Sequence, residues 1–220
     1  MELSDFERKH VIQIYDLIAD EFDKSRYSVW PSVIAFLNSL STNSSVLEVG
    51  CGNGKNMLYR KDINMQGIDT CQKFIDLCAQ KGLSVKLGNC LNLEFEDNLF
   101  DACLCIAVIH HLDSREKRLQ AIREMYRVVK PGGKIFIQVW GLSANISGDI
   151  LPPAFDKSGN NELISGNNKL VDWKHKTHGT QKRFYHFYDD DELKTDVLSL
   201  GYNIVNYFKE QDNWIVQIDK

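Results

Sequence analysis

Apolar and polar positions shift period along the 220-residue chain, and each shift marks a predicted element. From Ser4 to Phe22 the apolar residues recur at helical spacing (Val11, Ile14, Tyr15, Ile18, Phe22) behind Ser4-x-x-Glu7, a capping box, so an amphipathic helix is expected. Lys24 to Tyr27 break the pattern. Pro31 opens a second short helix through Val33, Ile34, Phe36, Leu37 and Leu40, closed by a Ser/Thr/Asn cluster at 41–45. From residue 46 short apolar runs alternate with helical stretches, and 46–50, 63–69, 84–87, 100–108 and 134–140 read as strands. Between the last two, Ser114 caps a helix carrying Leu119, Ile122, Met125, Tyr126 and Val129 on one face, and Pro131-Gly-Gly133 stops it. Strands alternating with helices predict an α/β fold with a parallel sheet covered on both faces. Residues 142–188, rich in Gly, Asn, Ser and Pro, read as a long irregular insert of the kind that carries function. Acids at 189–192 then sit at the positive N-terminus of a helix ending near Gly201. The apolar stretches 202–208 and 214–218 flank a polar turn and read as an antiparallel pair closing the sheet.

Composition bounds the class. An apolar fraction of 43% with 25% charged residues is that of an ordinary globular protein, and one domain spanning 1–220 is expected. The longest apolar run, 102–109, is too short to span a membrane, and the charged opening decapeptide lacks the apolar core of a signal peptide. A cytoplasmic protein without a membrane partner is therefore expected. Six cysteines without a Cys-x-x-Cys pair read as reduced, buried small residues, with no metal site. A net charge of −4 argues against nucleic-acid binding through bulk charge, but 169–186 holds five basic residues to one acidic. There Lys174, Lys176, Lys182 and Arg183 are candidate phosphate contacts.

The candidate chemistry begins where the first predicted strand turns into a helix. Glu48-Val-Gly50-Cys-Gly52-Asn-Gly54 occupies the position at which an α/β sheet presents a ligand crevice, and glycines there let the backbone approach a cofactor. Nineteen residues beyond Gly50, at the end of the second strand, Asp69 can accept both hydroxyls of a ribose. These features alone fit NAD as well as S-adenosylmethionine. The Glu-x-Gly-x-Gly-x-Gly form, Gly88-Asn89-Cys90 after the third strand, Val129-Lys-Pro-Gly-Gly133 before the fifth and the terminal antiparallel pair resemble class I S-adenosylmethionine-dependent methyltransferases.

Outside the cofactor core the resemblance narrows. Tyr15-Asp-x-Ile-Ala, Ser25-Arg26-Tyr27-x-x-Trp30-Pro31, Ile106-Ala-Val-Ile-His110-His111, Val139-Trp140, Arg183-Phe-Tyr185-His186 and Asp212-Asn213-Trp214 resemble the eukaryotic tRNA wobble-uridine carboxymethyl methyltransferases and the methyltransferase domain of the AlkB-homologue tRNA hydroxylase. The matching segments run in order from about residue 10 to residue 218. The resemblance implies a Rossmann-like seven-stranded, mostly parallel sheet of order 3-2-1-4-5-7-6, with residues 1–44 as lid helices and 142–188 as an RNA-facing loop. It implies S-adenosylmethionine held by Tyr15, Glu48, Gly50, Gly52, Asn53, Gly54, Asp69, Asn89, Cys90 and Ala107. Asn89 departs from the usual aspartate, although its amide oxygen can still accept a hydrogen bond.

The implied reaction methylates the carboxylate of a carboxymethyluridine at the tRNA wobble position. That nucleophile is already ionised at neutral pH, so alignment and desolvation matter more than a strong base. Arg26, with a planar fork suited to a carboxylate, is the first catalytic candidate, joined by His110 and His111 at the end of the fourth strand. If the strand continues through them, alternation turns one of these histidines to the crevice and the other to the core or backbone. Trp30, Trp140 and Tyr185 are candidates to stack on an unstacked base. Two partners are implied: tRNA, and a small zinc-binding activator subunit. The latter would pair with the edge strand 83–87, whose Leu83, Val85 and Leu87 carry little of the charge that blunts free edges. A small-molecule methyltransferase of the quinone or sterol type, and a non-catalytic cofactor-binding scaffold, share the cofactor motifs and stay open at this point.

Overall fold

The computed structural model describes residues 1–142, 162–175 and 177–220; Lys176 and 143–161 of the predicted insert lie outside the described residues. Seven strands form the main sheet: β1 (Ser45–Val49), β2 (Asn64–Asp69), β3 (Val85–Leu87), β4 (Phe100–Ile106), β5 (Val129–Trp140), β9 (Asn203–Glu210) and β10 (Asn213–Asp219). Their order is β3-β2-β1-β4-β5-β10-β9. The first five run parallel, and β10 lies antiparallel to both β5 and β9. With the last two strands counted as sixth and seventh, this is the expected 3-2-1-4-5-7-6.

Alternation along the strands builds a layer on each face. Even positions (Val46, Ala102, Leu104, Phe136) pack on Val33, Phe36 and Leu37 of α3 (Pro31–Asn38). Odd positions (Leu47, Cys103, Cys105, Ile135, Ile137) pack on Ala121, Ile122 and Met125 of α5 (Arg115–Val128) and on Leu193 and Val197 of α6 (Glu192–Ser199). Burial on both faces is what makes these strands read as nearly unbroken apolar runs. Ser114 caps α5 by accepting the Lys117 N–H at 3.4 Å. At the N-terminus Ser4 and Glu7 form the reciprocal capping box ahead of α1 (Asp5–Glu7). A π-helical turn, Arg8–Ile12, joins α1 to α2 (Gln13–Ser25). All six cysteines are buried with free thiols.

The reading of 142–188 as irregular is corrected by the structure. Its described part forms a second antiparallel sheet, β6 (Glu162–Ser165), β7 (Asn168–His175) and β8 (Gly179–His186). Glycines and asparagines mask the signal at its turns, while Leu170, Val171, Trp173, Phe184 and Tyr185 supply its buried positions. Val171, Trp173 and Tyr185 pack against Ile14 and Ile18 of α2, which brings this sheet over the carboxyl ends of the main one.

Candidate active site

At the carboxyl end of β1 the chain turns through Gly50, Gly52 and Gly54, with φ of +74°, +51° and +74°. A Cβ on Gly50 would lie 2.2 Å from Val108 Cγ2, and one on Gly54 2.3 Å from Leu83 Cδ1, so two of these positions require glycine for space as well as for conformation. Asp69, ending β2, accepts the Gly52 N–H through Oδ2 and the Cys71 N–H through Oδ1, both at 2.9 Å. Burial raises its pKa to about 6, against those backbone donors. Glu48 is buried and takes 2.6 Å hydrogen-bond donation from Asn56 on Oε1, while Oε2 has no partner. Burial pushes this carboxyl up to about 7. Asn89 already accepts the Leu91 N–H at 2.9 Å, closing its own turn. Cys90 is buried beside it, and Ala107, at the end of β4, holds a left-handed φ of +60°. All these residues line one cavity of about 990 Å³, except Gly54, which supports the turn from behind.

The same cavity is walled on its other side by rings and cations. His110 and His111 do not continue β4 but form a 3₁₀ turn, Ile109–His111, and both are buried. Both rings pack on Tyr185, with centroids 5.1 and 4.4 Å away. The strand has already ended at Ile106, so the alternation expected of a continuing strand does not apply to them. Trp140 stacks on Tyr185 at 4.5 Å and 12°. Its backbone N–H donates to His110 Nδ1 at 3.1 Å. His111 Nδ1–H donates to the Phe184 carbonyl at 2.7 Å, leaving Nε2 to accept from the Tyr15 hydroxyl at 3.0 Å. Tyr15 in turn accepts from Arg183 Nη1 at 3.1 Å. Burial lowers His111 to about 3 and His110 well below its ordinary value, so both stay neutral.

Arg183 faces inward. It is 1% exposed, with its guanidinium 4.6 Å from the Trp173 ring centroid, and so it is no surface phosphate contact. The Arg26 guanidinium lies 5.9 Å from the same ring and 5.3 Å from Phe22. Burial, and then the charge of Arg183, lower the Arg26 pKa. Among the described residues no carboxylate pairs with Arg26, whose side chain donates only to Ser25. Lys174 and Lys182 project on the opposite face of the second sheet, across from Arg183 and Trp173. Lys174 is exposed, and Lys182 is half-buried. Trp30, half-buried, precedes α3 and packs toward its apolar cluster at the cavity edge.

Two expected cofactor contacts do other work. Tyr15 belongs to the Arg183 and His111 network, and the Asn53 side chain donates to the Arg26 carbonyl at 2.8 Å. Sequence reasoning missed Lys55, which donates to the Ser28 carbonyl at 2.8 Å and is lowered to about 8 by burial and the Arg26 charge. It also missed the lining residues Phe22, Asn56, Gln211 and Asp212, and Trp173, whose ring both guanidiniums face. Lys55 and Asn56 directly follow the glycine turn, and Asp212 lies in a motif already singled out. Trp173 was hidden in the segment read as irregular.

Comparison with known proteins follows this geometry. Residues 47–137 match a family model described as "Methyltransferase domain". The chain is 32% identical to a tRNA (carboxymethyluridine(34)-5-O)-methyltransferase of Schizosaccharomyces pombe, over 98% of each protein. A Xenopus tropicalis protein with the same activity in its name is 30% identical over 99% of this chain. The chain spans 42% of that protein's length. Among solved structures, an S-adenosylmethionine-dependent methyltransferase of Methanosarcina mazei shares the fold with a TM-score of 0.67 at 19% identity, covering 88% of this chain and 98% of that one.

Proposed function

We propose that this chain, which belongs to the tRNA (carboxymethyluridine(34)-5-O)-methyltransferase family, methylates the carboxylate of a carboxymethyluridine at the tRNA wobble position. The observation that carries the reading is the pair of guanidiniums, Arg26 and Arg183, which face one tryptophan ring and line the same cavity as the glycine turn. A carboxylate fits a guanidinium fork two-to-two.

The cofactor is S-adenosylmethionine, and the residues present fit it. The glycine turn leaves a cradle that Cβ atoms would fill, Glu48 Oε2 is a buried acceptor without a partner, and Asp69 keeps lone pairs free on both oxygens. Glu48 would meet an ammonium group, and Asp69 the ribose hydroxyls. When bound, S-adenosylmethionine supplies a methyl group activated by its sulfonium charge. The chain's own residues then have three tasks. Arg26 and Arg183 hold and orient the substrate carboxylate. Tyr15 and neutral His111 fix the Arg183 guanidinium by hydrogen bonds. Tyr185, Trp140 and His110 form an apolar, aromatic wall that excludes water and receives the face of the uracil. Neither histidine is needed as a base, because the nucleophile arrives ionised. Positioning of this kind can supply about 7–11 kcal/mol of the barrier.

The N-terminal helices act as a lid whose linker carries Arg26, and the outward face of β7 and β8, with Lys174 and Lys182, approaches RNA phosphates. A small zinc-binding activator subunit completes the sheet at β3 in a cytoplasmic heterodimer. This edge supports the reading: the Gly67 N–H donates to the Ser84 carbonyl and the Gly88 N–H to the Asp69 carbonyl. Even residues of β3 therefore face β2, and Val85 and Leu87 turn their backbone groups to the free side. Leu87 is 53% exposed. Val85→Pro should abolish co-purification with the activator while leaving the sheet intact; retained association would remove this edge from the account.

The functional reading is tested with an anticodon stem-loop bearing 5-carboxymethyluridine, S-adenosylmethionine and the chain co-expressed with the activator. Mass spectrometry should find the methyl ester from wild type and its formation slowed about 30-fold with Arg26→Ala. An unreacted stem-loop with wild type would overturn the reading.

A further inference from the structure

Tyr27 is the most exposed large hydrophobic side chain of the described residues, at 81%, yet it borders the cavity that holds the reacting groups. Its backbone is held on both sides. Asn53 donates to the carbonyl of Arg26, and Lys55 donates to the carbonyl of Ser28, each at 2.8 Å. Both donors come from the glycine turn. The linker between α2 and α3 is thus tied to the cofactor cradle at the two residues flanking Tyr27, while the ring between them stands in solvent. An exposed phenol on a slack loop would need no explanation; one on a backbone fixed from both sides is presented in a set position. Lys24 and Tyr27 are exposed near half-buried Arg26, so the rim is both cationic and aromatic.

We infer that Tyr27 is a stacking platform for the nucleotide that flanks the target uridine, a contact that rests on the functional reading above and extends it to a second base. A uracil can enter the cavity only by leaving its stack, and that exposes one face of the neighbouring base. A ring at the rim replaces the lost neighbour, and stacking of this kind tolerates any base because each has a π-face. The aromatic wall inside the cavity and the ring at its rim therefore serve two adjacent nucleotides.

The test uses the full chain with its activator and two anticodon stem-loops carrying 5-carboxymethyluridine, with 2-aminopurine on the 5′ side of the target in one and on the 3′ side in the other. Wild type should quench 2-aminopurine at one of the two positions. Tyr27→Ala should raise the KM for the stem-loop about ten-fold and leave 2-aminopurine bright at saturation. Tyr27→Phe, which keeps the ring, should restore both. Calorimetry with S-adenosylmethionine checks that the variants retain the cradle. A Tyr27→Ala enzyme with wild-type KM and quenching overturns the stacking role alone. Wild type that fails to methylate either stem-loop overturns the functional reading beneath it.

Discussion

The two halves of the cavity are built by different means. One half is mostly backbone: a glycine turn and strand ends, joined by the buried carboxylates of Glu48 and Asp69, each set by its place at the end of a strand. The other half is side chain: Tyr15 and Arg26 from α2 and its end, the histidines from a 3₁₀ turn, Trp140 from β5, and Arg183 and Tyr185 from the second sheet. A backbone cradle is dictated locally and recognises a cofactor common to many enzymes. A side-chain wall exists only after tertiary packing, and there the substrate is chosen.

If the halves are separable, damage to each should read out differently. The largest effect is expected at the turn. Gly50→Ala combines a left-handed backbone with a Cβ against Val108, a cost of about 4 kcal/mol that should reduce S-adenosylmethionine affinity by about three orders of magnitude in calorimetry. Unchanged affinity would remove the turn from the cofactor half.

Glu48→Gln should come next, with opposite effects on stability and binding. Between pH 4.5 and about 7 the unfolded carboxyl ionises while the buried one keeps its proton, so rising pH destabilises the fold through that window and the loss is complete above it. The full displacement corresponds to about 3 kcal/mol. Glu48→Gln should therefore raise the Tm of the cofactor-free chain at pH 8 and have little effect at pH 4. It should also weaken S-adenosylmethionine binding and flatten its pH dependence, which in wild type falls as pH drops from 8 to 6. A variant no more stable at pH 8 would contradict the buried charge.

The side-chain half is probed by Arg183→Ala and Arg26→Ala. Each should lower kcat/KM on the RNA about 30-fold, a loss of about 2 kcal/mol for a charge-assisted contact, while calorimetric cofactor affinity stays near wild type. Arg26→Lys, which loses the fork, should be impaired too. Parallel loss of cofactor binding would merge the two halves into one. The smallest effect concerns the histidines: with His111 near 3 and His110 low, kcat should show no histidine inflection between pH 6 and 8. An inflection that disappears in His111→Asn would assign it a proton.

The sequence made these halves unequally legible. Glu48, the glycines and Asp69 stand at fixed offsets from predicted strands, so their convergence could be read directly, whereas the sheet order came only through the family resemblance. Arg183 could be counted as basic but not oriented: the period-two pattern that turns it inward and Lys182 outward depends on recognising β8 as a strand. For His110 and His111 alternating faces hold only if β4 continues, and its end at Ile106 leaves no composition signal. Asn53 lies within the glycine motif and lines the cavity, but the reach of its side chain to the Arg26 carbonyl, a contact between segments 27 residues apart, had no local signal.

The central claim is that the side-chain half selects a carboxylate on the wobble uridine. The most direct measurement is nucleoside mass spectrometry of tRNA from cells lacking the gene, complemented in turn by wild type, Arg26→Ala and Arg183→Ala. The account predicts that the methyl ester is lost and the free acid accumulates, with full rescue by wild type and a reduced share of ester with either variant although both bind S-adenosylmethionine. Undiminished methyl ester in the deleted cells would contradict it.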